Sequence, residues 1–187
     1  DPATMYMAAA VAKNLEDAAF LYYAAQMRAK FDIRRFHESG DGGVSSLYGA
    51  LNSQVGEEVN PAIARNPKAL AAMLKRIDEW NVQPANTYDP GWDIHGREKM
   101  NINEEAVLSK AIKDDVLKHL RPMSELLSDP EYLSAFVILQ DFNFSPFKEK
   151  NDPRKIAEKT TAEEKLLRIE KERNLSYLTD TLKLQQK

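Results

Sequence analysis

The residues best equipped for chemistry stand in one short stretch, residues 86–96, NTYDPGWDIHG. Asp93 and His95 are two apart, so an extended backbone would project both side chains to one side. A carboxylate beside an imidazole suits proton transfer near neutral pH, or metal binding if further ligands converge. The sequence discloses no third member. The first half of the stretch reads differently. Asp89-Pro90-Gly91 puts Pro at i+1 and Gly at i+2, the chemistry of a type II turn. Tyr88 and Trp92 flank that turn and are large enough to fold over the helix that ends at Trp80. The stretch is therefore expected to be an aromatic-anchored turn, with Tyr88, Trp92, Asp93 and His95 as candidate ligand or partner contacts. No residue is assigned a catalytic role.

Other chemistry is sparse. The common nucleotide-binding, metalloprotease, hydrolase and EF-hand signatures are missing. The three histidines, His37, His95 and His119, lack the three- or four-residue spacing of a helix-borne metal pair. Adjacent carboxylates at Glu57-Glu58, Glu104-Glu105, Asp114-Asp115 and Glu163-Glu164 diverge by about 100° on a helix and read as solvated faces. The glycine-rich text near residue 40 has no lysine and follows no strand, so it reads as a connector rather than a phosphate loop. The chain has no cysteine, which excludes thiolate catalysis and sulfur-ligated metals. No cofactor and no metal is expected. A net charge of -3 gives no general attraction to nucleic acid, and no apolar run approaches the ~20 residues of a membrane span. Neither nucleic-acid binding nor membrane insertion is expected.

The elements that must position these residues are helical. Residues 2–14 and 16–31 predict two helices joined by a very short link, hence an antiparallel αα-hairpin, with Asn14 ending the first. A third helix is expected from Ser45 or Ser46 to about Glu58, broken or restarted at Asn60-Pro61. Asn66-Pro67 opens a helix over 67–80, with Leu70, Met73, Leu74, Ile77 and Trp80 in one stripe. Asn103 caps a helix that Pro122 ends or kinks, and His119 would then complement the dipole of its last turn. Asp129-Pro130 opens a nearly all-round apolar helix. Thr161 with Glu164 fits a capping box for a long charged helix reaching about Leu184. The fold class is all-α with about seven helices: an N-terminal αα-hairpin packed on a helical core and a long charged C-terminal helix. Residues 1–147 form the expected core domain, and 148–187 a charged helical extension.

Ala9 and Ala18, with Tyr6, Tyr22 and Ala25, give residues 4–31 a spacing that resembles one helical hairpin of the tetratricopeptide and Sel1-like repeats. Tyr6 stands where those families keep a small residue, and no second copy follows at the ~34-residue period. The resemblance implies a helix pair and a protein-binding role. The leading expectation is a non-enzymatic helical interaction or adaptor protein with a protein or peptide partner. Homo-oligomerisation through the C-terminal helix is a further expectation. The alternative is an enzyme or small-ligand binder using Asp93 and His95. The start at Asp1, with Ala-rich helical text following at once, points towards an exported, periplasmic bacterial protein, with a cytoplasmic one as the alternative.

Overall fold

Helix starts in this chain are written by short polar residues ahead of proline. Asp1 accepts from the backbone N–H of Ala3 and Thr4 and opens α1, Pro2–Ala10. Asn66 accepts from Ala69 N–H at 3.0 Å and opens α4, Pro67–Glu79. Asp129 does the same for α6, Pro130–Phe144, and Asp152 for α8, Pro153–Arg173. Each cap satisfies N–H groups that have no partner inside the helix, and proline costs nothing where its missing N–H would be unpaired anyway. A computed structural model describes residues 1–36, 43–83 and 102–175. Among these residues the chain is all-α, with eight helices and no strand. The others are α2, Leu15–Phe36; α3, Gly43–Ala64; α5, Ile102–Leu127; and the four-residue α7, Phe147–Lys150. None is long and apolar enough to cross a membrane.

Five boundaries depart from the expectations. Asn14 does not end α1, which stops at Ala10; its side chain accepts from Asp17 N–H at 2.8 Å and donates to the Asp17 carboxylate, so it starts α2. Pro61 lies inside α3, which runs through it without a break, and Pro122 lies inside α5 rather than at its end. A helical proline frees the carbonyl four residues earlier. Here that carbonyl belongs to Glu57 or Lys118, both exposed, where water can satisfy it. With α5 reaching Leu127, His119 is an exposed mid-helix residue and not part of a last turn. Finally, α8 starts at Pro153, and Thr161 sits mid-helix with its hydroxyl donating to Ala157 O at 3.0 Å. α8 ends at Arg173, and residues 176–187, over which a longer helix was expected, lie outside the described residues. Asn174 adopts φ 52, ψ 38, and Leu175 N–H returns to Glu170 O at 3.0 Å, a Schellman closure.

The chain divides into two compact units, Asp1–Lys118 and His119–Lys187, so the change to Lys, Arg and Glu text at residue 148 falls inside the second. In the first, α2 is the pivot: it packs on α1, α3 and α4, and α1 also packs on α3. Its Ala19, Tyr22, Ala24, Ala25, Met27 and Phe31 are all buried. The α2–α4 contact alternates rings with guanidinium groups. Arg76 lies 4.2 Å over the Phe20 ring while pairing with Asp17 at 2.7 Å, and Arg28 lies over Trp80. In the second unit α6 packs on α8. Tyr132 donates to the buried Glu170 carboxyl at 2.8 Å, and Glu131 and Asp129 pair with Arg168 and Arg173.

Candidate functional site

Tyr88, Trp92, Asp93 and His95, the contacts expected from sequence, lie outside the described residues. The residues flanking them are described and strongly tied. Gln83 Nε2 donates to Glu105 Oε2 at 3.1 Å, Arg35 Nε pairs with Glu105 Oε1 at 2.6 Å, and Lys113 Nζ donates to the carbonyls of Asp78 and Trp80. Glu105 and Arg35 are buried, as is Asp32, one helical turn before Arg35. Of the pair expected to be solvated, Glu104 is exposed but Glu105 is not. Charges this far from water persist only when paired, and breaking such a pair is costly. The network therefore ties α2, α5 and the chain just after α4 together at the point where residues 84–101 begin and end.

A second polar feature fills the α1–α2–α3 interface. Tyr6, Tyr22 and Tyr23 form edge-to-face contacts at 6.0 and 5.0 Å. Their hydroxyls meet one stripe of α3, spaced four residues apart. Tyr6 donates to Asn52, Tyr23 donates to Asn60 at 3.0 Å, and Asn60 Nδ2 donates to Tyr22 at 3.2 Å. Gly56, between the two asparagines, leaves room for the Tyr22 hydroxyl. Burial pushes the Tyr6 phenol up, and the neighbouring Tyr22 and Tyr48 add to it, so Tyr6 stays neutral through the physiological range. The three hydroxyls are hydrogen-bonded to asparagines of α3.

Beside this cluster runs a groove of ≈ 470 Å³. One wall is the end of α1 and the link to α2, with Met7, Ala10, Lys13 and Asn14. The other is α3, with Leu51, Gln54, Val55 and Glu58. Tyr6, Ala9 and Val59, all buried, also line it. The hairpin side of the groove includes Ala9, Ala10, Ala12 and Ala18, whose side chains are short. Apolar surface continues past its rim. Met7, Val11 and Leu47 are 65%, 79% and 51% exposed, and Leu47 sits one turn before Leu51 on α3. Lys13 and Glu58 place opposite charges on opposite walls. Such a surface suits an apolar segment fixed by a few polar contacts. The sequence contained one usable signal for one wall: Leu47, Leu51, Val55 and Val59 recur every four residues along α3. Among the described residues no group of three or more His, Cys, Asp or Glu side chains is placed to hold a metal ion. No family model matches the chain, and no curated protein and no solved structure matches it.

Proposed function

We propose that this is a helical protein-binding module whose α1–α3 groove receives an apolar segment of a partner protein, most simply one face of an amphipathic helix. The supporting observation is that Met7, which lines the groove, is 65% exposed, while the exposed Val11 stands between the lining residues Ala10 and Ala12 and the exposed Leu47 one turn before the lining Leu51. A soluble domain leaves contiguous apolar surface uncovered at a cost in solubility, and such patches mark interaction sites. Helix-in-groove recognition uses anchors at i, i+3 or i+4 and i+7, the spacing with which a helix would lie along α3 past Leu47, Leu51 and Gln54. Selection of a library of amphipathic helical peptides against the full chain tests the reading. Enriched peptides should lose binding to a Leu51→Glu variant and to an Ala10→Trp variant that fills the groove. Peptides that bind both variants as well as the parent would refute it.

The alternative, an enzyme or small-ligand binder using Asp93 and His95, draws support from the buried Arg35–Glu105–Gln83 network at the flanks of residues 84–101, because buried charge networks concentrate at functional sites. It requires that His95→Ala abolish a ligand-dependent signal while leaving the unfolding midpoint unchanged. A loss of stability instead would assign His95 a structural part.

A further inference from the structure

The groove between α1 and α3 carries one charge on each wall. Lys13 lines it from the α1–α2 link and Glu58 from α3, and no other Lys, Arg, His, Asp or Glu lines it. Both residues are exposed, and neither makes an ion pair or a hydrogen bond through its side chain among the described residues. Their neighbours are already engaged. Glu16 and Asp17, which follow Lys13 closely, both pair with Arg76 of α4, and Asn60, two residues after Glu58, bonds to Tyr22 and Tyr23. Asn14 is also taken, by the start of α2, which leaves Gln54 as the other polar side chain of the lining beside the buried Tyr6. The remainder is apolar, with Met7 on the hairpin side and Leu51 and Val55 on α3.

From this we infer that the partner segment is a helix whose apolar strip is bordered by an acidic residue on one flank and a basic residue on the other. The inference rests on the helix-in-groove reading and adds the partner's charge pattern to it. A helix lying in a groove turns its apolar strip to the floor and one flank to each wall, as positions e and g border the a/d seam of a coiled coil. A partner with carboxylates on both flanks meets Glu58 with like charge. One with ammonium groups on both flanks meets Lys13 in the same way. Only mixed flanks are matched at both walls. The walls also set direction. Turning a helix end for end, with its apolar strip still facing the floor, exchanges its flanks. A mixed-flank helix is therefore matched in one direction and mismatched twice in the other. Exposed charge pairs each contribute modestly, so Lys13 and Glu58 select among partners and orient them, while Leu51 and the apolar surface around it supply the affinity.

The test uses designed helical peptides of about five turns that share leucines at i, i+3, i+4 and i+7 and differ only in their flanks: glutamate on both, lysine on both, or glutamate on one and lysine on the other. Binding to the full chain is read by fluorescence anisotropy at physiological ionic strength. The parent should bind the mixed peptide at least about threefold more tightly than either uniform one. Lys13→Glu puts carboxylates on both walls and should transfer the preference to the lysine-flanked peptide. Glu58→Lys should transfer it to the glutamate-flanked peptide. Both substitutions are at exposed positions, so circular dichroism should be unchanged. Equal affinities of the parent for all three peptides, with binding still lost in Leu51→Glu, would overturn the inference and leave the groove reading standing. A preference that does not follow the two wall substitutions would also overturn it. Binding of none of the peptides, or binding indifferent to Leu51→Glu, would overturn the inference and the groove reading together.

Discussion

Replacing Gly56 with alanine sets two effects of opposite sign against each other. Gly56 lies inside α3, and glycine in a helix interior is disfavoured by about 1 kcal/mol relative to alanine, so propensity alone predicts a gain. The structure predicts a loss. A Cβ there would fall inside contact distance of the Tyr22 hydroxyl, with Tyr22 Cζ and Asn60 Nδ2 each 3.1 Å away. Tyr22 cannot swing aside cheaply. It is 1% exposed, and its ring is held edge-on by Tyr6 on one side and Tyr23 on the other. Overpacking a tight core costs about 1–3 kcal/mol. Displacing the hydroxyl from Asn60 strands a buried polar group, at about 1–3 kcal/mol. Set against the propensity gain of about 1 kcal/mol, the expected net loss is about 1–5 kcal/mol, read as a lower urea midpoint at unchanged m-value. Two comparisons isolate the cause. Gly49→Ala, in the same helix with nothing within 4 Å of its Cβ, should stabilise by about 1 kcal/mol. In a Tyr22→Phe background, where the hydroxyl is gone, Gly56→Ala should cost at least about 1 kcal/mol less than in the parent. A Gly56→Ala protein as stable as the parent would refute the reasoning, and so would an equal cost in both backgrounds.

Two further outcomes follow from the second unit. Tyr132→Phe removes the hydrogen bond to the buried Glu170 carboxyl and should cost about 1.5–3 kcal/mol, measured by chemical denaturation. The Asp129 carboxyl is held below the usual carboxylate range, first by the backbone N–H of Tyr132 and then by Glu131 N–H and Arg173. Its folded value lies below its unfolded one, so its contribution is present at neutral pH and is lost as pH falls through the folded value. Asp129→Asn keeps a capping acceptor but does not titrate there. The stability difference between parent and variant should therefore shrink from pH 7 to about pH 3, and a difference independent of pH would contradict the assignment.

The helix starts were legible because capping is local. Asn66-Pro67 and Asp129-Pro130 carry their acceptor and fixed φ within a few residues, and the structure uses both as read. The apolar stripe of α4 was equally plain, since Leu70, Met73 and Ile77 are buried together on one face. The helix ends were less legible. Pro61 and Pro122 are breakers by local chemistry, yet α3 and α5 continue through them; the carbonyls they free belong to the exposed residues Glu57 and Lys118, and buried residues flank each proline along its helix.

The candidate sites divide along the same line. Residues 86–96 stood out because unusual side chains were adjacent in sequence; they lie outside the described residues, and their role rests on the proposed test. The Arg35–Glu105–Gln83 network, the hole that Gly56 leaves for Tyr22, and the groove between α1 and α3 join residues between 22 and 70 positions apart, and none carries a motif. By itself the sequence determined that the chain is all-α, where most helices begin and which faces are apolar, because propensity, capping and periodicity act within one or two turns. Which of those faces meet, which charges are thereby forced into the interior, and which apolar residues are left uncovered was decided only in the tertiary structure, because burial belongs to a pair of surfaces and not to either one alone.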